Sequence, residues 1–530
     1  MPGRSGGERQ LFGTSIVPSV EVSRFASARL LDERHAMTSR EQRPPASPPD
    51  SGAGRTAISW TSMAILIATA VASVRGLPAM AAYDWSSIFL YVLPAILFMV
   101  PVALVAAELA SGWKGGVFVW VKEAYGDQIG FFAIWQQWMQ NVAWYPAQLA
   151  FFASALAYVW DPSLANSGLF TGLVILVVYW VSTLIATFGV DAFAKVGTWG
   201  FLIGTLVPAA ALIVFAVAFV ADGGKSQLPA VSDAEWFPKF TGLASIVLIV
   251  SNFLSYAGME MNAVHVTEMR RPAKEFPKAI VLSVVLILFV FILPTLAISV
   301  GVPGSSVNLT QGVLQAFDVF FNHLGISWGT TVMALLIVIG ILASVVTWIP
   351  GPSKGLLLVG KEGYLPPRLQ GTNSRGMQVP IMVAQGLIVT VLSILFAVLP
   401  SVQSVFWILT AMAVQLYLIM YMIMFLAAMK LRRTRPDVKR GFRSPAMPVV
   451  GTIGFVASLA AFILGFVEPS GNADSTPQSI YILILVAGIV LLAVWPFVLY
   501  RLRKPEWKID PAPDGTDAHG PQGPGQGQEA

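Results

Sequence analysis

Twelve stretches of this sequence are apolar over about 20 residues, the length that an α-helix needs to cross a bilayer core of roughly 30 Å. Lipid offers the backbone no hydrogen-bond partners, so a spanning segment must satisfy its own peptide groups. The runs also lack the alternation of β-barrel strands. The sequence therefore predicts an all-α polytopic membrane protein. Its twelve predicted helices are 58–82, 86–110, 128–159, 168–189, 194–220, 242–266, 278–301, 329–350, 379–399, 404–429, 447–467 and 478–500.

Composition agrees with a membrane protein and excludes several kinds of site. Charged residues make up 12% of the chain, against about 25% in soluble domains. The sequence has no cysteine, and its four histidines lack metal-ligand spacing. It also shows no Ser/His/Asp set and no nucleotide-binding loop. We therefore expect a protein that is not an enzyme, with no cofactor, no metal and no nucleic-acid partner.

Polar segments rich in proline and glycine flank the apolar region in the sequence. Residues 1–56 and 504–530 have the composition of disordered tails. The region between them, 57–503, is the predicted membrane domain.

Positive charge in the loops orients this domain. With a cytoplasmic N-terminus, the exterior loops carry only Lys225 and Lys239, and nearly all other Lys and Arg residues lie on the cytoplasmic side. Positive charge favours the cytoplasmic side. The sequence thus predicts a multi-pass protein of the cell membrane with both termini in the cytoplasm. This count leaves Arg75 inside the membrane.

The first and sixth spans contain helix-breaking residues at membrane depth. "SVRGLP" lies at 73–78, and "SYAGMEM" lies at 255–261. Interruptions in corresponding segments indicate inverted repeats that share a substrate site. We expect one repeat at about 57–220, a second at about 240–429, and two added helices at about 447–500. The alternative is a pair of ordinary kinks without a ligand.

Broken helices expose backbone groups that need polar partners, so the breaks should line a cavity. A half-helix beginning near Gly76, Leu77 and Pro78 presents amide donors and a positive dipole end to a carboxylate. Free carbonyls at the second break can accept hydrogen bonds from an ammonium group. A cavity with both properties suits a zwitterion such as an amino acid.

Three longer segments resemble the amino acid–polyamine–organocation (APC) superfamily, in particular its glutamate/GABA antiporter branch. They are "VPVALVAAELASGWKGGVFVWVKEAYG" (100–126), "SYAGMEMNAVHVTEMRRPAKEFPKAI" (255–280) and "GPSKGLLLVGKEGYLPPRLQGTNSRGMQVP" (351–380). The resemblance implies a core of five plus five helices in inverted repeats, with helices 1 and 6 broken and two helices added. It also implies secondary transport of amino acids or related amines, often by exchange.

The resemblance also implies which residues bind the substrate. The matching positions are Ser73, Val74, Gly76 and Leu77 in the first span and Tyr256, Ala257, Gly258 and Met259 in the sixth. The family's glutamate in the sixth span corresponds to Glu260. An aromatic lid near the second break would be Phe253 or Tyr256. The chain departs from the family at the first break, where "SVRGLP" replaces a small glycine-rich motif.

Arg75 and Glu260 are the charged residues at the predicted breaks. An arginine at a helix centre costs about 2.5–3.5 kcal/mol on insertion scales, so Arg75 needs a partner or a wet cavity. It either binds a substrate carboxylate or forms a structural ion pair with Glu260, Glu108 or Asp84. Glu260 is either a gating or proton-linked carboxylate, or a fixed partner that holds the broken helix together.

The third span adds further candidates for the cavity wall. Trp144, Tyr145 and Gln148 either face the cavity or act as packing and interfacial anchors.

The leading functional hypothesis is a secondary amino-acid exchanger that works by alternating access. A proton-coupled symporter is the alternative, and a channel or facilitator is a further one. The expected partners are a small amino-acid-like solute and the lipid bilayer.

Overall fold

The structure is a computed structural model that describes residues 58–189, 197, 199–399, 401–469 and 477–509, without the side chains of residues 70, 262, 264 and 267. Residues 1–57 and 510–530, which hold most of both predicted tails, lie outside this part of the chain. Residues 504–509, predicted as the start of the second tail, instead pack on the membrane domain. There Ile509 N–H donates to the Lys361 carbonyl at 2.9 Å.

The described residues form helices and turns without β-strands. The helices are α1 (Trp60–Val71), α2 (Leu77–Ala81), α3 (Ser86–Gly112), α4 (Gly116–Tyr125), α5 (Asp127–Trp160), α6 (Gly168–Ala186), α7 (Trp199–Ala221), α8 (Val250–Tyr256), α9 (Met259–Ala263), α10 (Pro272–Gly301), α11 (Gly312–His323), α12 (Trp328–Lys361), α13 (Val379–Val398), α14 (Val402–Thr434), α15 (Met447–Leu464) and α16 (Gln478–Leu502).

Ten of these described helices are long and apolar enough to cross a membrane. They coincide with the second to fifth and the seventh to twelfth predicted spans, so the all-α membrane fold is confirmed. The first predicted span is the pair α1 and α2, and the sixth is the pair α8 and α9. The count of twelve crossings depends on counting each pair as one, and it stays a prediction.

Two helices continue past their predicted ends. Helix α12 runs to Lys361 rather than residue 350, and α14 runs to Thr434 rather than residue 429. A hydropathy pattern detects the apolar part of a helix, whereas the backbone hydrogen bonds continue into polar residues outside the lipid. The extension of α12 carries Lys354 and Lys361.

Helices α5 and α14 form the centre of the bundle. About four-fifths of the apolar window of each helix is buried, 78% in α5 and 83% in α14. One polar contact of α5 extends through two other helices. Trp138 Nε1–H donates to Gln385 Oε1 at 2.9 Å, and Gln385 Nε2–H donates to the Tyr179 hydroxyl at 2.7 Å. Such bonds satisfy polar groups that lipid would leave unpaired.

Small residues bring α7 and α12 together. Gly200 lies against Ala343, and Gly204 lies against the backbone of Gly340, so a side chain at either glycine would meet the facing helix. Close approach at small residues is a common way for membrane helices to associate.

The connecting segments meet at two opposite ends of the bundle. At one end, Lys122 Nζ lies 3.0 Å from Glu362 Oε2, and Arg435 Nη2 lies 3.2 Å from Glu123 Oε2. We call this end the basic face, since it holds segments 113–126, 268–278, 362–378 and 430–446. At the opposite face, Trp85 Nε1–H donates to the Pro229 carbonyl at 2.8 Å.

A buried carboxylate fastens the segment between α14 and α15 to the end of α3. Arg432 Nη1 lies 2.5 Å from Glu108 Oε1, and Ser444 N–H donates to Glu108 Oε2 at 2.8 Å. Arg440 approaches the same carboxylate to 3.5 Å and stacks over Trp113 at 5.0 Å. The side chains of Glu108 and Arg440 are 2% and 1% exposed, so each charge depends on the other for compensation.

This cluster predicts a large effect of Glu108→Ala. Removing the carboxylate leaves Arg440 buried and unpaired, which we expect to cost about 3–5 kcal/mol. The unfolding temperature in detergent should fall, and trypsin should cleave faster within 433–443. The matched control is Glu123→Ala, which removes the more exposed ion pair with Arg435, worth about 0–1 kcal/mol. Equal effects of the two substitutions would contradict the anchoring role of Glu108.

Candidate functional site

The first break separates α1 from α2 at residues 72–76. Helix α1 ends at Val71, and α2 begins at Leu77 with Pro78 in its first turn, as the sequence predicts. Proline suits this position, because its missing N–H has no helical partner to lose. Gly76 faces the second broken segment, where an added Cβ would lie 3.0 Å from Ser255 Oγ. The two breaks therefore lie side by side.

The second break consists of Ala257 and Gly258. Helix α8 ends at Tyr256, Ala257 is extended, and Gly258 has a φ of +98° before α9 begins at Met259. Residues other than glycine rarely adopt this φ. The Gly258 N–H, which leaves the helical ladder here, donates to the Tyr421 hydroxyl at 2.8 Å.

A cavity of about 710 Å³ lies against both breaks. Its wall includes six of the predicted site residues: Ser73, Val74, Arg75, Gly76, Ala257 and Gly258. The third-span candidates Trp144 and Gln148 also line it, together with Gln140 and Asn141. Tyr145 does not line the cavity. The remaining five predicted site residues also lie outside its described wall: Leu77, Phe253, Tyr256, Met259 and Glu260.

The cavity extends from the breaks toward the basic face. Ile65 and Leu66 of α1 line it there, together with Thr347 and Gly351 of α12. Toward the opposite face, Arg75 contacts α14. The wall is mostly apolar, with polar groups concentrated near the breaks and on α5.

Arg75 is 6% exposed and points to α14. Its Nη1–H donates to Thr410 Oγ1 at 3.3 Å, and its guanidinium lies 5.5 Å from the centre of the Phe406 ring. No described carboxylate lies within 4.0 Å of it. The expected ion pairs with Glu260, Glu108 or Asp84 are therefore not formed in this conformation. Arg75 is also the only charged residue among the described residues of the cavity wall.

Glu260 is 1% exposed and accepts three hydrogen bonds from side chains of other helices. Gln137 Nε2 of α5 lies at 2.8 Å, and the hydroxyls of Tyr417 and Tyr421 of α14 each lie at 2.5 Å. These three donors occupy both oxygens of the Glu260 carboxyl group. Tyr417 also lines the cavity, so a single side chain separates the cavity from Glu260.

Sequence reasoning missed these three partners of Glu260. Tyr417 and Tyr421 are four residues apart and share one face of α14, and their rings stack at 4.7 Å. No local pattern connects them with a glutamate more than 150 residues away in sequence. The sequence signal was only that both are polar aromatic residues within a mainly apolar span.

The predicted aromatic lid residues are held in packed positions. The Tyr256 hydroxyl donates to the Tyr91 carbonyl at 3.0 Å, and the Phe253 ring lies 4.9 Å from that of Phe98. Trp144 and Trp348, whose rings are 6.1 Å apart, are among the aromatic side chains that do line the cavity.

The chain is similar to known transporters over most of its length. The protein family described as amino acid permease matches residues 58–491. An uncharacterized transporter of Legionella pneumophila is 37% identical over 447 residues, covering 83% of this chain and 96% of that protein. Glutamate/gamma-aminobutyrate antiporters from two strains of Lactococcus lactis are 30% and 31% identical over 451 residues, each covering 83% of this chain and 89% of the relative.

The second break predicts that Gly258→Ala is harmful. A Cβ there would require a strained φ and would lie 3.3 Å from Trp348. We expect a cost of about 1–2 kcal/mol, seen as a lower unfolding temperature, and a loss of transport in liposomes. Gly355→Ala is the matched control, because its Cβ would lie 3.7 Å from the nearest side-chain atom, an ordinary contact. Transport by Gly258→Ala equal to that of the control would disprove the requirement for glycine.

Proposed function

The chain belongs to the amino acid permease family of the APC superfamily, and on this premise we propose that it exchanges amino acids across the cell membrane by alternating access. The observation that carries the proposal is the cavity between two broken helices, with Arg75 in its wall. Relatives named as antiporters support exchange as the mode of transport.

The proposed architecture has twelve crossings, ten of them in two inverted repeats of five, with both termini in the cytoplasm. The matching breaks at 72–76 and 257–258 support the repeats. The concentration of Lys and Arg at the basic face supports its cytoplasmic location. In this orientation the cavity extends toward the cytoplasm.

The proposed substrate carries a carboxylate that binds Arg75. A guanidinium at this depth has one neutral hydrogen-bond partner and no described carboxylate beside it, so it can compensate an anion. The amide side chains of Gln140, Asn141 and Gln148 provide neutral hydrogen-bonding groups along α5. A diamine is positively charged and would lie beside Arg75, and no carboxylate of the described wall could pair with it. Amino acids therefore fit the cavity better than amines.

The backbone at the breaks completes the proposed binding site. Ser73, Val74 and Gly76 present the unwound first segment, while Ala257 and Gly258 present the second. Leu77 and Met259 begin the following helices, so they contribute through their backbone positions. Phe253 and Tyr256 of α8 are the proposed gate residues, and they pack α8 against α3.

Alternating access requires the broken helices to move against their neighbours. Glu260 is the proposed gating residue, because its three hydrogen bonds connect α9 to α5 and α14. Substrate against Tyr417 can alter one of these bonds directly. Protonation of Glu260 would weaken all three, which is how a proton-coupled symporter, the alternative function, would use the same residue.

A channel or facilitator fits the cavity less well. A channel needs a path open to both sides at once. Here the contacts of Arg75 with Thr410 and Phe406 lie on the side of the cavity away from the basic face.

Substitution of Arg75 tests the binding role. In liposomes loaded with unlabelled glutamate, the wild type should accumulate labelled glutamate by counterflow. Arg75→Ala should weaken the apparent affinity about 10- to 100-fold, since a charge-assisted bond contributes about 1.5–3 kcal/mol. Arg75→Lys should fall between the two, because it keeps the charge but loses the planar fork. Thr410→Ala is the control that removes the partner and keeps the guanidinium. An unchanged affinity of Arg75→Ala at normal expression would refute direct binding.

Substitution of Glu260 separates exchange from proton coupling. Glu260→Gln keeps the shape and removes the titratable group. If Glu260 acts as a gate alone, exchange should slow while its pH dependence stays as in the wild type. If Glu260 carries a proton, uptake driven by a pH gradient should disappear while counterflow persists. Normal rates and normal pH dependence together would exclude both roles.

A further inference from the structure

Helix α3 packs between α10 and α15 and ends at the basic face. Helix α3 contacts both neighbours. Its residues Leu93, Leu97, Val100 and Leu104 are half-buried and follow helical spacing along one side. We call this half-buried stripe, together with the two flanking helices, the α3 cleft.

The walls of the α3 cleft are apolar and face outward. Val281, Val285 and Phe289 of α10 are 65%, 58% and 59% exposed and lie four residues apart. Val449 and Val456 of α15 are 58% and 54% exposed. In a membrane domain, such surfaces at these depths contact acyl chains.

Exposed cations lie at the basic end of the α3 cleft. They come from two segments: the start of α10 with the residues before it, and the end of α14 with the connection to α15. They are Arg270, Arg271, Lys274, Lys278, Arg433, Lys439 and Arg443. Among the described residues, no side chain of the seven forms a hydrogen bond or ion pair. Glu268, Glu275 and Asp437 are the carboxylates of the same segments, so positive charge remains in excess.

Buried contacts hold the two segments together across the end of α3. The Phe442 ring lies 5.5 Å from that of Phe276 in α10. Ser111 Oγ–H donates to the Phe442 carbonyl at 3.1 Å, and Phe442 N–H donates back to Ser111 Oγ at 3.2 Å. The Glu108 cluster fixes the same segment a few residues away. The exposed cations are therefore carried on a fixed frame rather than on a loose loop.

We propose that the α3 cleft binds an anionic phospholipid, with the headgroup at the exposed cations and an acyl chain along α3 between α10 and α15. Two features favour lipid binding over the alternative that these cations serve only to orient the protein in the membrane. The side chains of the cations are unpaired, and their backbone segments are held by buried contacts; they also adjoin the half-buried apolar stripe of α3. Orientation by positive charge requires neither feature. The proposal does not depend on the transported solute or on exchange.

The test compares two triple variants with equal loss of charge on the same face. Lys274→Gln, Lys439→Gln and Arg443→Gln together remove cations of the α3 cleft. Lys361→Gln, Arg368→Gln and Lys504→Gln together remove exposed cations elsewhere on the basic face. Each protein is placed in nanodiscs of phosphatidylcholine alone or mixed with phosphatidylglycerol. Retained phosphatidylglycerol is measured by native mass spectrometry, and the unfolding temperature is measured in parallel.

We expect phosphatidylglycerol to raise the unfolding temperature of the wild type and of the control variant. The affinity of the cleft variant for phosphatidylglycerol should fall by about tenfold or more. The reason is that each basic residue near the surface contributes appreciably to anionic-lipid binding. Equal weakening in the two variants would overturn the proposal, because it would reflect net charge alone. No preference of the wild type for phosphatidylglycerol would overturn it as well.

Two further measurements keep the proposal falsifiable if the cleft variant fails to accumulate. High salt should reduce retention of phosphatidylglycerol by the wild type, because exposed charges are screened. Glycerol phosphate should not displace the lipid, because it has no acyl chain for the half-buried stripe. Displacement by glycerol phosphate, or insensitivity to salt, would contradict the two-part site.

Discussion

The hydrogen bond from the Gly258 N–H to the Tyr421 hydroxyl meets the constraint on which this structure depends. In lipid, a backbone group that leaves its helix must find a partner within the protein. Tyr421 accepts from the backbone and donates to Glu260, so one hydroxyl satisfies the break and the buried carboxylate together. The interruption between α8 and α9 can exist at membrane depth because α14 supplies this partner.

The two charges near the breaks are treated in opposite ways. Glu260 is surrounded by Gln137, Tyr417 and Tyr421, which satisfy both of its oxygens. Arg75 has a single neutral hydrogen-bond partner, lies over Phe406 and borders a cavity. A side chain whose polar atoms are all hydrogen-bonded holds structure in place, whereas a buried cation with one neutral partner can bind an anion. This difference assigns Glu260 to the gate and Arg75 to the substrate in the proposed mechanism.

The basic face repeats the same division of roles. Arg432 and Arg440 turn inward to the buried carboxylate of Glu108 and fasten a segment to α3. Neighbouring cations of that segment, such as Lys439 and Arg443, point outward and stay unpaired among the described residues. Some basic residues of this run thus hold the segment between α14 and α15 in place, while others present positive charge to the membrane surface. Its sequence, "KLRRTRPDVKRGFR", does not distinguish the two groups.

The sequence by itself determined the membrane class, ten of the spans and the positions of both breaks. Apolar runs, glycine and proline act over a few residues, so their effects can be read locally. Tertiary structure decided which side chains meet. It left Arg75 without the ion pair to Glu260, Glu108 or Asp84 that was one of its two predicted roles. It also gave Glu260 two tyrosine partners from α14 and placed Tyr256 outside the cavity wall. These outcomes depend on how distant helices pack and rotate against one another, and no local pattern encodes that geometry.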